Sequence, residues 1–248
     1  MRIVSWNCNR SLGKKLCRVG ELEPDLLIVQ ESENPEMQPT AFQGYCSLWE
    51  KSDKKDGIGI FTPRPGVLTR LEWSGTFAMK GISNGSPALS WSTQDLHQFI
   101  PFTFKSELTV LAVWTKEANS ASFGYIGQFW KFLQIHKNDL PRSRTIIVGD
   151  FNSNAIWDRP DRWWNHSDVE RELASLGFQS LYHVSRNEKP GRESMPTLYH
   201  RKDPIRRYHI DYAFVSEDLI PRTSLQIGDR DDWISLSDHM PLIIDIDV

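Results

Sequence analysis

The chain has 248 residues, 39% of them hydrophobic and 25% charged, with a formal net charge of -3. Such a length and mixture suit one large layered domain with a sizeable core, and exclude a disordered, collagenous or membrane-embedded protein. The slight acidity gives no global pull on nucleic acid, so a polyanionic substrate has to be held by a local basic patch or through a divalent cation.

Met1 to Trp6 enters a strand at once, without an apolar leader, and no run of about 18 apolar residues occurs anywhere, so the expected location is the cytoplasm with no membrane partner. Cys8, Cys17 and Cys46 are odd in number and lack metal-ligand spacing, which suggests free thiols in a reducing compartment. The first strand, Arg2 to Trp6, ends in Asn7-Cys8-Asn9. Ser11 to Leu22 is a helix candidate, and Pro24 stops it. Leu26 to Val29 is then a second buried strand, which delivers Gln30-Glu31 at its end.

Residues 44 to 115 read as strands and turns without a helix, with strands at Gly57–Phe61, Val67–Trp73, Ala88–Trp91 and Leu108–Trp114. From Ala121 to His136 the apolar residues recur at three- and four-residue steps, as on an amphipathic helix. Ile146, Ile147 and Val148 make a strand buried on both faces, and Gly149-Asp-Phe-Asn152 stops it. Taken alone, that tetrapeptide is equally a turn with an Asx cap or the polar tip of a strand, where open α/β sheets place their chemistry. Ten tryptophans are many for this length, and those between Trp157 and Trp164 lie in a polar stretch that suits a surface groove. Ser167 with Glu170 reads as a capping box for a helix running to Leu176, with Gly177 as its stop.

Residues 186 to 207 hold Arg186, Lys189, Arg192, Arg201, Lys202, Arg206 and Arg207 against Glu188, Glu193 and Asp203, the densest positive patch in the chain. It is either a solvated loop face or a surface for substrate. The strand His209 to Val215 follows, and Asp211 inside it needs a partner, because an unpaired charge within a strand is costly. Ser237-Asp-His-Met-Pro241 leads into a closing strand, Leu242 to Asp247.

Collected, the strand ends carry Asn7, Asn9, Glu31, Asp150, Asn152, Asp211, Asp238 and His239. Carboxylates, amides and one histidine, with no serine or cysteine nucleophile in a recognisable setting, match a hard cation such as magnesium rather than zinc or a covalent triad. Such a set is equipped to hydrolyse a phosphodiester.

Five segments, Ser5-Trp-Asn7, Gln30-Glu31, Gly149-Asp-Phe-Asn152, His209-Ile-Asp-Tyr212 and Ser237-Asp-His239, resemble in sequence and order the motifs of the endonuclease/exonuclease/phosphatase superfamily, which has the deoxyribonuclease I-like fold. The resemblance spans nearly the whole chain. It implies one α/β domain over residues 1–248: a four-layer sandwich of two mixed β-sheets packed face to face with helices outside. It also implies magnesium, with manganese as a substitute, held by Glu31 with Asn7, Asn9 and Asp238 in or near its shell. Asp150 would orient or activate water, Asn152 would donate to the transition state, and Asp211 would keep a phosphate-binding His239 protonated.

One departure stands out. The family usually ends the strand before the central helix in a histidine or tyrosine that contacts phosphate, and here Trp114 stands there, offering only an N–H donor and a stacking face. Either Tyr125 or Lys116 would then take that role, or the protein does without it. Trp114, Tyr125, Trp157, Arg206 and Arg207 are the expected substrate-binding residues. The leading expectation is a nuclease acting on DNA or RNA. Hydrolysis of a small phosphoester, such as a nucleotide, cyclic dinucleotide or phosphoinositide, is a second reading; a non-catalytic nucleic-acid or protein binder, resting on Trp114, is a third. The sequence leaves the oligomeric state open.

Overall fold

The computed structural model describes residues 1–52, 54–79, 89–118 and 122–247. In chain order, β1 (Arg2–Asn7) leads through a 3-10 turn (Leu12–Lys14) into the short α1 (Leu16–Gly20) and then β2 (Leu26–Ser32). Seven strands follow: β3 (Cys46–Lys51), β4 (Gly57–Thr62), β5 (Leu68–Arg70), β6 (Thr76–Met79), β7 (Leu89–Ser92), β8 (Phe99–Phe104) and β9 (Leu108–Trp114). Among the described residues no α-helix interrupts them, as the sequence suggested. The second half holds α2 (Ile126–His136), β10 (Thr145–Asp150), α3 (His166–Ser175), β11 (Phe178–Ser180) and α4 (Leu181–Arg186). It closes with β12 (Leu198–Tyr199), β13 (Arg207–Tyr208), β14 (Asp211–Ser216), β15 (Thr223–Ile227), α5 (Arg230–Trp233) and β16 (Leu242–Ile246).

Two six-stranded mixed sheets result, ordered β15-β16-β1-β2-β4-β3 and β11-β14-β10-β9-β8-β5. Alternation along β1 shows why the runs are apolar throughout: Ile3 joins the core between the sheets, while Val4 and Trp6 pack outward with Leu12, Leu16 and Val19. In β10, Ile146 and Val148 face inward, and Ile147 meets Phe129 and Leu133 of α2 and Val169 of α3. The order of layers is therefore helix, sheet, sheet, helix.

This topology also positions the site. β1 and β2 are parallel, as are β9 and β10, while β14 and β16 run antiparallel to β10 and β1. The carboxyl ends of four strands and the amino ends of two therefore meet at one edge.

Several local expectations shift. Asn9, Arg10 and Ser11 all take left-handed backbone, and the Glu33 carboxylate accepts the N–H groups of Leu12 and Gly13 at 2.7 and 2.8 Å, so Ser11–Leu22 is not one helix. The capping box of α3 is Asn165 with Asp168, two residues ahead of the Ser167 and Glu170 pairing. Asp158 accepts the His166 and Ser167 N–H groups at 2.9 and 3.2 Å, which fixes that earlier start. The strand expected over Val67–Trp73 keeps only Leu68–Arg70, and β3, β8 and β15 emerge where none had been singled out. Ala88 and Ala121, the expected first residues of a strand and a helix, lie outside the described residues. The three cysteines are free thiols. Among the described residues no helix is long and apolar enough to cross a membrane.

Candidate active site

Gly149 is where β10 changes from core to chemistry. Its φ is +149, and a Cβ there would lie 1.9 Å from the Val113 carbonyl oxygen, so only glycine lets β10 run this close to β9. Phe151 is fully buried with edge-on contacts to Phe129, Tyr212 and Phe214, and it pins the turn after Asp150. Asn152 is then held in left-handed backbone at φ 44.

Asp150 and Asp211 face each other across β10 and β14 as register partners, both buried. His239 lies in the turn before β16. Its Nδ1 is 3.0 and 3.2 Å from the two Asp211 carboxylate oxygens, so the strand aspartate has the partner its position demanded. The turn itself is locked, since Ser237 Oγ accepts the His239 N–H at 3.0 Å and donates to the Asn7 carbonyl at 2.7 Å. Trp6 Nε1 donates to the His239 carbonyl at 2.9 Å.

Burial acts on the two reactive groups in different ways. It would push the His239 imidazole down, but the charge and hydrogen bond of Asp211, with Asp150 and Asp238 beyond, raise it to about 10. For Asp150, burial first and repulsion from Asp211 second raise the carboxyl from 3.8 to about 7, against the pull of His239, Asn7 and the Asn152 N–H. Between these values an imidazolium and a carboxylate coexist in one buried corner.

Asn7 joins this corner to the next. Its Nδ2 donates to Asp150 at 3.0 Å and to Glu31 at 3.3 Å. Glu31 is half-buried in left-handed backbone at φ 59, and among the described residues it has no basic partner. Asn9 is at φ 50 and binds Asp238 at 3.0 Å on the exposed rim, touching Asn7 through its backbone N–H at 3.0 Å. Left-handed non-glycine residues cost on the order of 1–3 kcal/mol each and collect at working sites. The oxygen-only donors of Glu31, Asn7 and Asp150, with Glu31 lacking a compensating charge, fit a hard divalent cation. Asp150, Asp211 and His239 also present ligand atoms within 4.8 Å of one another. A protonated imidazole cannot ligate, however, so that trio suits proton and phosphate chemistry instead.

Asn152 spans two strands, donating from Nδ2 to the Thr115 carbonyl and to Asp150, each at 3.0 Å, while its backbone N–H reaches Asp150 at 2.8 Å. It also borders two concavities. On one side is a cavity of about 440 Å³ whose wall includes Tyr125, Trp157, Trp164, Arg206 and Tyr208. On the other, a hollow of about 250 Å³ is lined by Arg10, Glu31, Lys54, Trp114 and Lys116. Tyr125, 44% exposed, forms the ridge between them.

Two of the expected substrate-binding residues are placed differently from the others. Trp114 is 4% exposed in the core between the sheets, with the Lys116 ammonium 4.5 Å from its ring centroid, so it offers a wall and no open stacking face. Arg207 opens β13, just after the bend that holds Arg206, and lines a separate pocket with Gly191, Glu193 and Ser194. Arg206 and Trp157 do line the cavity, where Trp157 packs on Tyr208 with ring centroids 5.1 Å apart.

The sequence profile of the Endonuclease/Exonuclease/phosphatase family matches residues 4–239. The chain belongs to this family. It is a phosphoester hydrolase. No curated protein matches the chain. Among solved structures it resembles the 3′ phosphatase NExo from Neisseria bound to a product DNA hairpin, at 19% identity over 100% of both chains with a TM-score of 0.70. An AP endonuclease from Archaeoglobus fulgidus has 19% identity over 100% of both chains and a TM-score of 0.69. D. rerio TDP2 in complex with a single-strand DNA product has 17% identity over 99% of this chain and 98% of that one, with a TM-score of 0.56.

In this family member the residues that sequence reasoning passed over are those that shape access. Lys54, Arg162 and Tyr208 come from three separate segments and converge only once the sheets are paired. Thr197 had no signal either; its Oγ1 accepts the Ile210 and Asp211 N–H groups, each at 3.0 Å, and sets where β14 begins. Ser237 was visible inside its motif, without a role.

Proposed function

We propose that this hydrolase is a magnesium-dependent phosphodiesterase acting on DNA or RNA. The observation that carries the reading is the buried pairing of an Asp150 carboxylate with a His239 imidazolium at the meeting point of two concavities, both of which bear cations. With Nδ1 engaged by Asp211, His239 has Nε2 left to donate to a non-bridging phosphate oxygen. Asp150 accepts a proton from the attacking water and orients it, and Asn152 steadies the carboxylate through its side-chain amide and its backbone N–H. Glu31 and Asn7 would hold the magnesium, or manganese in its place, with Asp150 beside them and Asn9 and Asp238 behind. The cation would shield phosphate charge and polarise the ester.

Polynucleotide substrates are favoured by the arrangement on either side of the phosphate position. Arg10, Lys54, Lys55 and Lys116 line one arm, and aromatic rings with Arg162 and Arg206 line the other, so backbone phosphates and bases both find partners. Two structural neighbours hold DNA products. A small phosphoester is the second reading, because a cavity of about 440 Å³ also suits a single nucleotide. The test is hydrolysis of plasmid, single-stranded DNA, RNA and a nucleotide panel with magnesium or with chelator. Cleavage of a polynucleotide that chelator abolishes is the expected result. Cleavage of small esters alone would overturn the polynucleotide reading, and chelator-insensitive turnover would overturn the metal.

A further inference from the structure

The hairpin between β12 and β13 carries Ile205 at its tip, 86% exposed. Isolated exposed apolar side chains are ordinary on protein surfaces, and Met37 at 78% is one such. Ile205 differs in three respects. Its backbone is fixed: Asp203 Oδ1 accepts the Ile205 N–H at 2.9 Å, the Ile205 carbonyl accepts the Arg207 N–H at 3.1 Å, and the His200 N–H closes the neck on the Arg206 carbonyl at 2.8 Å. The hairpin is also rooted in the catalytic turn, through the bridge from Leu198 to His239, the Tyr199 N–H on the Asp238 carbonyl at 2.8 Å, and Lys202 Nζ on the Ser235 carbonyl at 2.8 Å. His200 and Arg206, at the neck, line the cavity beside Asn152, so Ile205 stands at its rim.

Charge adds to this placement. Arg201, Lys202, Arg206 and Arg207 flank the tip; among the described residues none of them forms an ion pair, and the local acid, Asp203, is occupied by the Ile205 N–H. A rigid aliphatic side chain surrounded by cations beside a phosphate site is the arrangement with which proteins enter a base stack while gripping the backbone. We infer that Ile205 is a wedge that inserts into a duplex substrate next to the phosphate at His239, with Arg201, Lys202 and Arg206 on the flanking phosphates. The inference rests on the polynucleotide reading above and narrows it to duplex substrates, in which a base step has to be opened.

The experiment compares kcat/KM on a duplex and on its single strand, and follows 2-aminopurine placed beside the cleaved position of the duplex. Ile205→Ser is expected to lower the ratio of duplex to single-strand kcat/KM about tenfold and to abolish the fluorescence rise that the wild type produces on binding. Ile205→Met, which keeps an apolar wedge, retains both. Val184→Ser, at another exposed apolar residue on α4, leaves both at wild-type values. An Ile205→Ser enzyme with an unchanged ratio and an unchanged fluorescence rise would overturn the wedge while leaving the nuclease reading intact. A wild type that neither binds nor cleaves any polynucleotide would overturn both.

Discussion

Asp150, Asp211 and His239 are at most 6% exposed and are held by strand register and a locked turn, whereas Tyr125 and Trp157, 44% and 46% exposed, stand on turns outside any strand. In the first region the backbone brings one ligand atom of each group within 4.8 Å of the others, with Asp211 hydrogen-bonded to His239, and burial and neighbouring charges together act on Asp150 and His239. In the second, side chains from unrelated segments share a wall with little holding them in common. On the proposed function, the chemistry belongs to the rigid part of the molecule and the choice of substrate to the part that tolerates change.

The sharpest way to break that division is to remove the buried groups. Asp150→Ala and His239→Ala are expected to lower kcat by about 10³-fold or more with the fold intact, as read by circular dichroism and single-turnover kinetics. Asp150→Asn should in addition melt at or above the wild-type temperature at pH 8. Asp150 has its folded pKa raised from 3.8 to about 7, so the stability it contributes is lost as pH rises through that range, and a neutral amide avoids the loss. A variant of either residue that kept wild-type turnover would show that the reactive corner lies elsewhere.

Asp211→Asn should have the next largest effect, about 10²-fold in kcat, because it acts through its two neighbours. The charge that holds the imidazolium disappears, so the alkaline limit of activity moves down from about 10 toward 6.5. Repulsion on Asp150 disappears with it, so the acid limit moves down from about 7. A pH–rate profile whose two limbs both stayed in place would contradict this coupling.

The smallest effects belong to the open cleft. Trp157→Ala and Arg206→Ala should raise KM for a polynucleotide about fivefold each, with kcat within about twofold, since stacking and phosphate contacts act on binding. Arg207→Ala, one residue away and lining a separate pocket, should leave KM where it is. Equal effects from Arg206 and Arg207 would mean that the cavity is not the path of the substrate.

Particular residues show why one region is legible in the sequence and the other only in part. Asp150 stands out because it closes a strand whose apolar run is buried on both faces, and Asp211 because a charge inside a strand demands a partner; both statements follow from local composition. The helix cap is harder to read. Ser167 with Glu170 and Asn165 with Asp168 obey the same spacing, and the distant Asp158 carboxylate decides between them. Arg206 and Arg207 look equivalent as a basic pair until the folded chain puts them on two different pockets, Arg206 in the bend and Arg207 on β13. Trp114 marks an unusual position, but the chain alone does not reveal that it is buried beneath Lys116. Lys54 and Tyr208 reach the cleft through sheet topology, which no short stretch of sequence encodes.

The central claim, that a buried carboxylate and a buried imidazolium coexist in the working range of pH, is tested most directly by NMR titration of the His239 ring in the intact protein. Its imidazole should stay doubly protonated from pH 7 to pH 9 and titrate near 10. Titration near 6.5, the ordinary value for an unpaired histidine, would contradict the account.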